Sequence, residues 1–323
     1  MTASPGTPER LAAIDVGTNT VLLLVAERRG GALVAVRERA EITRLGRGVD
    51  ATGRLDPEAI AATVAVVAEF AREARSLGAA EIACVATSAA RDAANGQEFF
   101  DAARSAAGVS PEIIGGDEEA RLVYASARRD FAPRRARGER TSAPLAVLDV
   151  GGGSTEFIVG DGEVPDVRTS LQVGAVRLTE RHVRGDPPSA AELAALREGA
   201  RAALAPLTAW AGRVRGARLV GVAGTVTTLA AVEQALPSYD PERVHGSTLA
   251  LDRIEALASR LAGMTIGQRA ALPGMEPKRA DVILAGALVV AEAMKAVGLG
   301  TLTVSDRGVR WGLLHDRLAR REG

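Results

Sequence analysis

The chain has 323 residues, 47 % of them hydrophobic, enough for two domains with sizeable cores. Forty basic residues balance forty acidic ones, so no net field draws the protein to nucleic acid or to a membrane, and any polyanion must be met by local groups. Aromatic residues make up 3 %, too few for the stacking platforms of single-strand binders. The one cysteine, Cys84, excludes an internal disulfide and a cysteine-based metal site.

The first ten residues lack the apolar region of a secretory signal, and the longest apolar run, residues 282–291, is shorter than the ~20 residues of a membrane span. A cytoplasmic protein is expected. The first element is a hairpin, LAAIDVGTNTVLLLVA from Leu11, with Asp15 at the end of its first strand and the turn Gly17, Thr18, Asn19, Thr20. After glycines 30 and 31 a third strand spans 32–42. Asp56 and Pro57 then cap a helix that runs to about Leu77 and stops at Gly78. The strand AEIACVAT follows at 80–87, with Arg91 in an exposed turn just beyond it.

In GGDEEA, Asp117 is the expected N-cap of a helix whose first turn holds Glu118 and Glu119. One acid suffices for the helix dipole, so three there point to chemistry. The segment 128–140 breaks every periodicity; it reads as a solvated linker, or as an arginine lip (Arg134, Arg135, Arg137) for an extended polyanion.

A second hairpin, LAVLDVGGGSTEFIVG from Leu145, matches the first at six of sixteen positions, Asp149 standing where Asp15 stands. A third strand again follows, at 164–172. Ser189 and Glu192 form a capping box, residues 217–223 a strand, and residues 224–234 a helix. Arg279 opens the last long helix, and a final helix is expected to pack back on the first domain. The three histidines, His182, His245 and His315, have no ligand spacing.

The triple glycine Gly151, Gly152, Gly153 can turn backbone N–H groups toward an anion, since glycine tolerates positive φ and lacks a Cβ, and Ser154 and Thr155 add hydroxyls. An Asp beside such a turn suits Mg²⁺, which takes one or two carboxylates plus phosphate oxygens. A local turn-capping role for each Asp is the plainer alternative, weakened by their occurrence as a matched pair. No glycine loop is followed by Lys-Ser or Lys-Thr, which excludes a P-loop, and there is no HExxH or EF-hand pattern.

The doubled hairpin resembles the actin-like ATPase fold of sugar kinases, acetate kinase and the heat-shock ATPases. Taken with ATSAARDAAN (86–95), EIIGGDEEARLVY (112–124), DVGGGSTEF (149–157), GVAGTVTTLAAV (221–232), RADVILAGALVV (279–290) and VSDRGVRWGLL (304–314), the chain from about residue 11 to 315 is similar to the exopolyphosphatase and guanosine pentaphosphate phosphohydrolase (Ppx/GppA) family. The resemblance implies an α/β, duplicated actin-like ATPase (ribonuclease H-like) fold. Its domains would span 8–135, with helix 307–323 packing back, and 141–306, with a cleft between them. It implies Glu119 as the general base, Glu156 as a holder of water or metal, and Asp15 and Asp149 as Mg²⁺ partners, with K⁺ as an optional second cation. Arg91 and Arg279 would be phosphate ligands and Gly224-Thr225 a further phosphate-facing turn.

The implied activity is release of terminal phosphate from inorganic polyphosphate, with pppGpp as the alternative substrate, ppGpp as an inhibitor and a homodimer as the assembly. Longer members carry a further helical region, so a chain ending at Gly323 is expected to favour short polyphosphate or pppGpp. A non-catalytic alarmone or nucleotide sensor, and a small-molecule kinase, are the competing readings on the same fold.

Overall fold

A computed structural model describes residues 9–132 and 144–322; Arg134, Arg135 and Arg137, and with them the linker-or-lip reading, lie outside the described residues. In chain order the elements are β1 (Arg10–Val16), β2 (Thr20–Arg29), β3 (Ala32–Ile42), α1 (Val49–Thr52), α2 (Pro57–Ser76), β4 (Ala79–Ala86), α3 (Ser88–Asp92), α4 (Gly96–Ala107), β5 (Glu112–Ile113) and α5 (Gly116–Phe131). There follow β6 (Leu145–Val150), β7 (Thr155–Gly160), β8 (Val167–Leu171), α6 (Ala175–His182), α7 (Ala190–Leu204), β9 (Arg218–Val222), α8 (Ala223–Glu233), α9 (Pro241–Val244), β10 (Thr248–Ala250), α10 (Leu251–Ala262), α11 (Ile266–Ala270), α12 (Ile283–Val297), β11 (Thr301–Val304) and α13 (Val309–Glu322).

These elements form two compact units. The first holds the described residues up to Gly115 together with α13, around a sheet of order β3-β2-β1-β4-β5. One face of that sheet, with Ala12, Ile14 and Val16 of β1, packs on Val67, Phe70 and Ala71 of α2 and on Phe99 and Ala103 of α4. The other face receives α13 against β1 and β2. Local signals set the helix ends: Asp56 Oδ1 accepts from the N–H groups of Glu58 (2.9 Å) and Ala59 (3.0 Å), and Gly78 turns the chain with φ 78°.

The second unit, from Gly116 to Gly308, has a sheet of order β10-β11-β9-β6-β7-β8. Ala146, Leu148 and Val150 of β6 face a core with Leu196 and Leu204 of α7, Leu229 of α8 and Leu288 of α12, and α5 covers the opposite face over β6, β7 and β8. The capping box at the start of α7 is formed. In each unit two antiparallel strand pairs are followed by a parallel one, β3-β2-β1-β4 in the first and β8-β7-β6-β9 in the second. The hairpin repeat is therefore a repeat of topology.

Three expectations change. The unit boundary falls at Gly115/Gly116 instead of 135/141, because the side of α5 bearing Leu122, Val123 and Tyr124 is buried with the second sheet; the second crossing, at 308/309, lies close to the expected 306/307. The helix that bears Glu119 starts at Gly116, so Asp117 lies in its first turn and is not the N-cap. Strand β8 covers Val167–Leu171, shorter than 164–172. No helix among the described residues is long and apolar enough to cross a membrane.

Candidate active site

In the first unit, β1 delivers Asp15 to the last turn of the hairpin on the face covered by α13. Its side chain is buried, and Oδ1 accepts no hydrogen bond among the described residues. Burial pushes its carboxyl up to about 6, an effect that the positive charge of Arg310, at the start of α13, offsets only in part. Arg310 also pairs with Glu38 on β3 (Nε to Oε2, 3.2 Å). The sequence reading overlooked Arg310; its one signal was its place inside the VSDRGVRWGLL block.

The turn 17–20 is held from two sides. Thr18 Oγ1 and Ser88 Oγ of α3 share a hydrogen bond of 2.8 Å, and the Gly17 N–H donates to Thr20 O at 3.0 Å. Arg91 lies on the short helix α3, not in an exposed turn; its half-buried guanidinium donates to Ile114 O (3.2 Å) and meets Asp92 (3.3 Å). The Ser88 contact docks the turn on α3, the same short helix that carries Arg91.

The second unit repeats the turn. The Gly151 N–H donates to Ser154 O at 3.1 Å, and a Cβ on Gly151 would sit 3.2 Å from that oxygen, as one on Gly17 would from Thr20 O. None of Gly17, Gly151, Gly152 and Gly153 has positive φ, so the expected left-handed turn is absent. The close carbonyl explains glycine at 17 and 151. The first N–H of each turn is committed to the hairpin itself. The Thr155 hydroxyl is likewise engaged, donating to Val173 O at 2.6 Å, which leaves it no proton for a phosphate.

The register opposes Asp149 to Glu156 directly. Directly opposed residues share one face at about 5 Å between Cβ atoms, and these two carboxylates are 7 % and 1 % exposed. Two buried carboxylates so close repel unless a cation or a proton comes between them. In the first hairpin Asp15 faces Leu22 instead, so the duplicated scaffold carries different chemistry in its two halves. Glu156 Oε1 accepts from Ser170 Oγ of β8 at 2.7 Å. Ser170 in turn lies under the start of α5, where a Cβ on Gly116 would come within 2.6 Å of Ser170 Cβ. That contact lays the first turn of α5, with buried Glu119, on the face that carries Asp149 and Glu156.

A second cluster joins Arg279 to Gly224-Thr225. Arg279 belongs to a 3₁₀ turn, Pro277–Arg279, ahead of α12, rather than opening α12 itself. Its guanidinium rests on Gly224, where a Cβ would lie 1.4 Å from Nη1. Burial lowers its pKa, opposed by the charge of Glu276. The preceding residue, Ala223, has φ 70°, a left-handed strain at the start of α8.

Mg²⁺ is the ion the resemblance implies. A hard cation takes carboxylate oxygens, and within the second unit the opposed pair Asp149 and Glu156 supplies two buried carboxylates for it. The residues present fit the ion.

The remaining sequence candidates keep to packing. Cys84 is buried in β4, where desolvation raises its thiol pKa. His245 pairs with Asp306 at 3.0 Å, and the His315 ring lies 6.3 Å from that of Trp311, tilted by 38°.

Two sheets of matching topology, each with an Asp at the mouth of its first hairpin, define the duplicated actin-like ATPase fold. The chain belongs to the Ppx/GppA phosphatase family, whose model matches residues 24–321. It is 40 % identical to Exopolyphosphatase 2 of Mycobacterium tuberculosis over 94 % of this chain and 97 % of that protein, and 33 % identical to Exopolyphosphatase 1 of Mycobacterium bovis over 96 % and 88 %. Among solved structures, the Aquifex aeolicus Ppx/GppA family member superposes with a TM-score of 0.80 at 31 % identity, covering 98 % of this chain and all of that one. An exopolyphosphatase from Cytophaga hutchinsonii gives 0.85 at 25 % identity, covering 97 % and 98 %.

Proposed function

We propose that this phosphoanhydride hydrolase is an exopolyphosphatase, releasing orthophosphate from the end of inorganic polyphosphate with Mg²⁺ as cofactor. The observation that supports it best is the buried, directly opposed pair Asp149 and Glu156 at the foot of the triple-glycine turn, with Glu119 brought onto the same face.

Phosphoryl transfer asks a protein mainly to position groups and to neutralise charge. Asp149 and Glu156 would hold Mg²⁺, which when bound neutralises phosphate charge. Glu119 takes a proton from water as its oxygen attacks the terminal phosphorus; the bridging P–O bond breaks and the shortened chain leaves with the bond's electron pair. Ser170 fixes the rotamer of Glu156 through its hydrogen bond. Arg279, seated on Gly224, and Arg91, on α3, would bind phosphate oxygens. A kinase reading needs a second acceptor in place of water, and nothing in either hairpin favours one.

The test is phosphate release with Mg²⁺ from long polyphosphate, short polyphosphate, pppGpp and ATP, for wild type and Glu119→Gln. Preference for polyphosphate that is lost in the variant supports the reading. Preference for pppGpp would make the chain a pppGpp phosphohydrolase, and tight ppGpp binding without release would make it a sensor. The homodimer is a proposal of the same kind, checked by the mass in solution.

A further inference from the structure

The loop between α11 and α12, residues 271–282, touches α8 at two places. Arg279 rests on Gly224 in the first turn of α8, and near the other end of that helix a Cβ on Gly274 would lie 2.2 Å from Ala231 O. Two contacts along one helix still leave the loop free to turn about the line that joins them. A third hold comes from Arg269 of α11, a helix that packs on the turn Pro277–Arg279.

Arg269 is 1 % exposed, and no other arginine or lysine among the described residues is buried. Its Nε donates to Leu261 O in the last turn of α10 (2.9 Å), and its Nη1 to Ala280 O (3.4 Å), on the residue next to Arg279. Burial lowers the pKa of this guanidinium, opposed by the charges of Asp186 and Asp281. Keeping a charge in such a place is costly, and an apolar side chain of similar volume would fill the space at lower cost. What an apolar side chain could not do is join two carbonyls. A guanidinium is a rigid fork with donors in fixed directions, so its hold on Leu261 O sets where Ala280 O can lie.

We propose that Arg269 is a positioning residue for phosphate binding: by bridging Leu261 O and Ala280 O it fixes the turn that seats Arg279 on Gly224. Buried as it is, it acts through Arg279 and not on the substrate. This rests on reading Arg279 as a phosphate ligand.

The test uses Arg269→Lys, Arg279→Met and the two combined. For each, one measures melting temperature, kcat and KM for phosphate release from polyphosphate, and Kd for tripolyphosphate in chelated buffer. Lysine keeps the charge near Asp186 and Asp281 but lacks the fork that serves both carbonyls. Arg269→Lys should melt within about 4 °C of wild type, with KM and Kd raised about tenfold, the loss of one charge-assisted contact, and kcat within about twofold. The combined variant should bind no more weakly than Arg279→Met, because the two changes remove the same contact. A role in charge balance alone would leave KM and Kd of Arg269→Lys at wild-type values, and that result would overturn the proposal. A further loss of affinity when Arg269→Lys is added to Arg279→Met would overturn it as well, making Arg269 a general support of the fold. If the lysine variant does not fold, Arg269→Met, alone and with Arg279→Met, gives the same comparison. Wild-type affinity for tripolyphosphate in Arg279→Met would refute the phosphate-ligand reading and this inference with it, whether or not the wild type hydrolyses polyphosphate. A wild-type protein that binds tripolyphosphate but releases no phosphate from polyphosphate would refute the hydrolase reading alone, and the Kd comparison would still decide the part of Arg269.

Discussion

Gly224→Ala offers a sharp test, because the added methyl group would overlap the guanidinium of Arg279, lying 1.4 Å from Nη1, 2.1 Å from Cζ and 2.3 Å from Nη2. Every atom in the way is the far end of a flexible side chain, so Arg279 can swing aside while the backbone stays. An off-rotamer side chain costs about 1 kcal/mol, and alanine gains roughly as much over glycine within a helix. The melting temperature should therefore move by no more than about 4 °C. Phosphate binding should suffer far more. A hydrogen bond to a charged group is worth about 1.5–3 kcal/mol, or roughly ten- to hundredfold in kcat/KM. The assay is steady-state phosphate release from polyphosphate by wild type, Gly224→Ala, Arg279→Met and the double variant. If the methyl acts by displacing the guanidinium, the double variant should be no worse than Arg279→Met, a coupling that independent sites do not show. Wild-type kcat/KM in Gly224→Ala, or additive losses in the double variant, would refute the reasoning.

Glu119→Gln should keep substrate affinity and lower kcat by about 10²–10⁴, the usual contribution of a general base, as single-turnover phosphate release would show; near-wild-type kcat removes it from the role. Asp15 gives a pH prediction. Burial holds its folded carboxyl at about 6, above the ordinary aspartate value, so the folded state holds the proton more tightly and stability falls as pH rises between the two, by roughly 3 kcal/mol in all. In chelated buffer Asp15→Asn should be more stable than wild type at pH 7.5 and equal to it below about pH 4; thermal melts showing a less stable variant at pH 7.5 would contradict this. Mg²⁺ should raise the melting temperature of the wild type by binding the folded state, and Asp149→Asn should abolish most of that rise. An equal rise in the variant places the ion elsewhere.

Much of this protein is local chemistry that a reader of the sequence can follow. The two hairpins, the Asp56 cap, the capping box of Ser189 and Glu192 and the Asp at each strand end depend on residues within a few positions of one another, and each appears where its signal stands. At 17 and 151 the glycines do not use the left-handed freedom the sequence suggested; there a neighbouring carbonyl, 3.2 Å from where a Cβ would sit, crowds any larger residue. The repeat of DVG at 15–17 and 149–151 foretold a duplicated scaffold for the same reason, since one turn geometry serves both copies.

Tertiary structure decided the rest. Gly116 shows no preference in sequence for either half, but the apolar side of α5 is buried on β6, β7 and β8, which carries Glu119 into the second unit. The seating of Arg279 on Gly224 spans more than fifty positions, and that of Arg310 near Asp15 nearly three hundred. Such pairs have no periodicity to reveal them, because what brings them together is the burial of distant apolar faces against a common sheet. Sequence set the turns and the charges, and packing chose which charges meet.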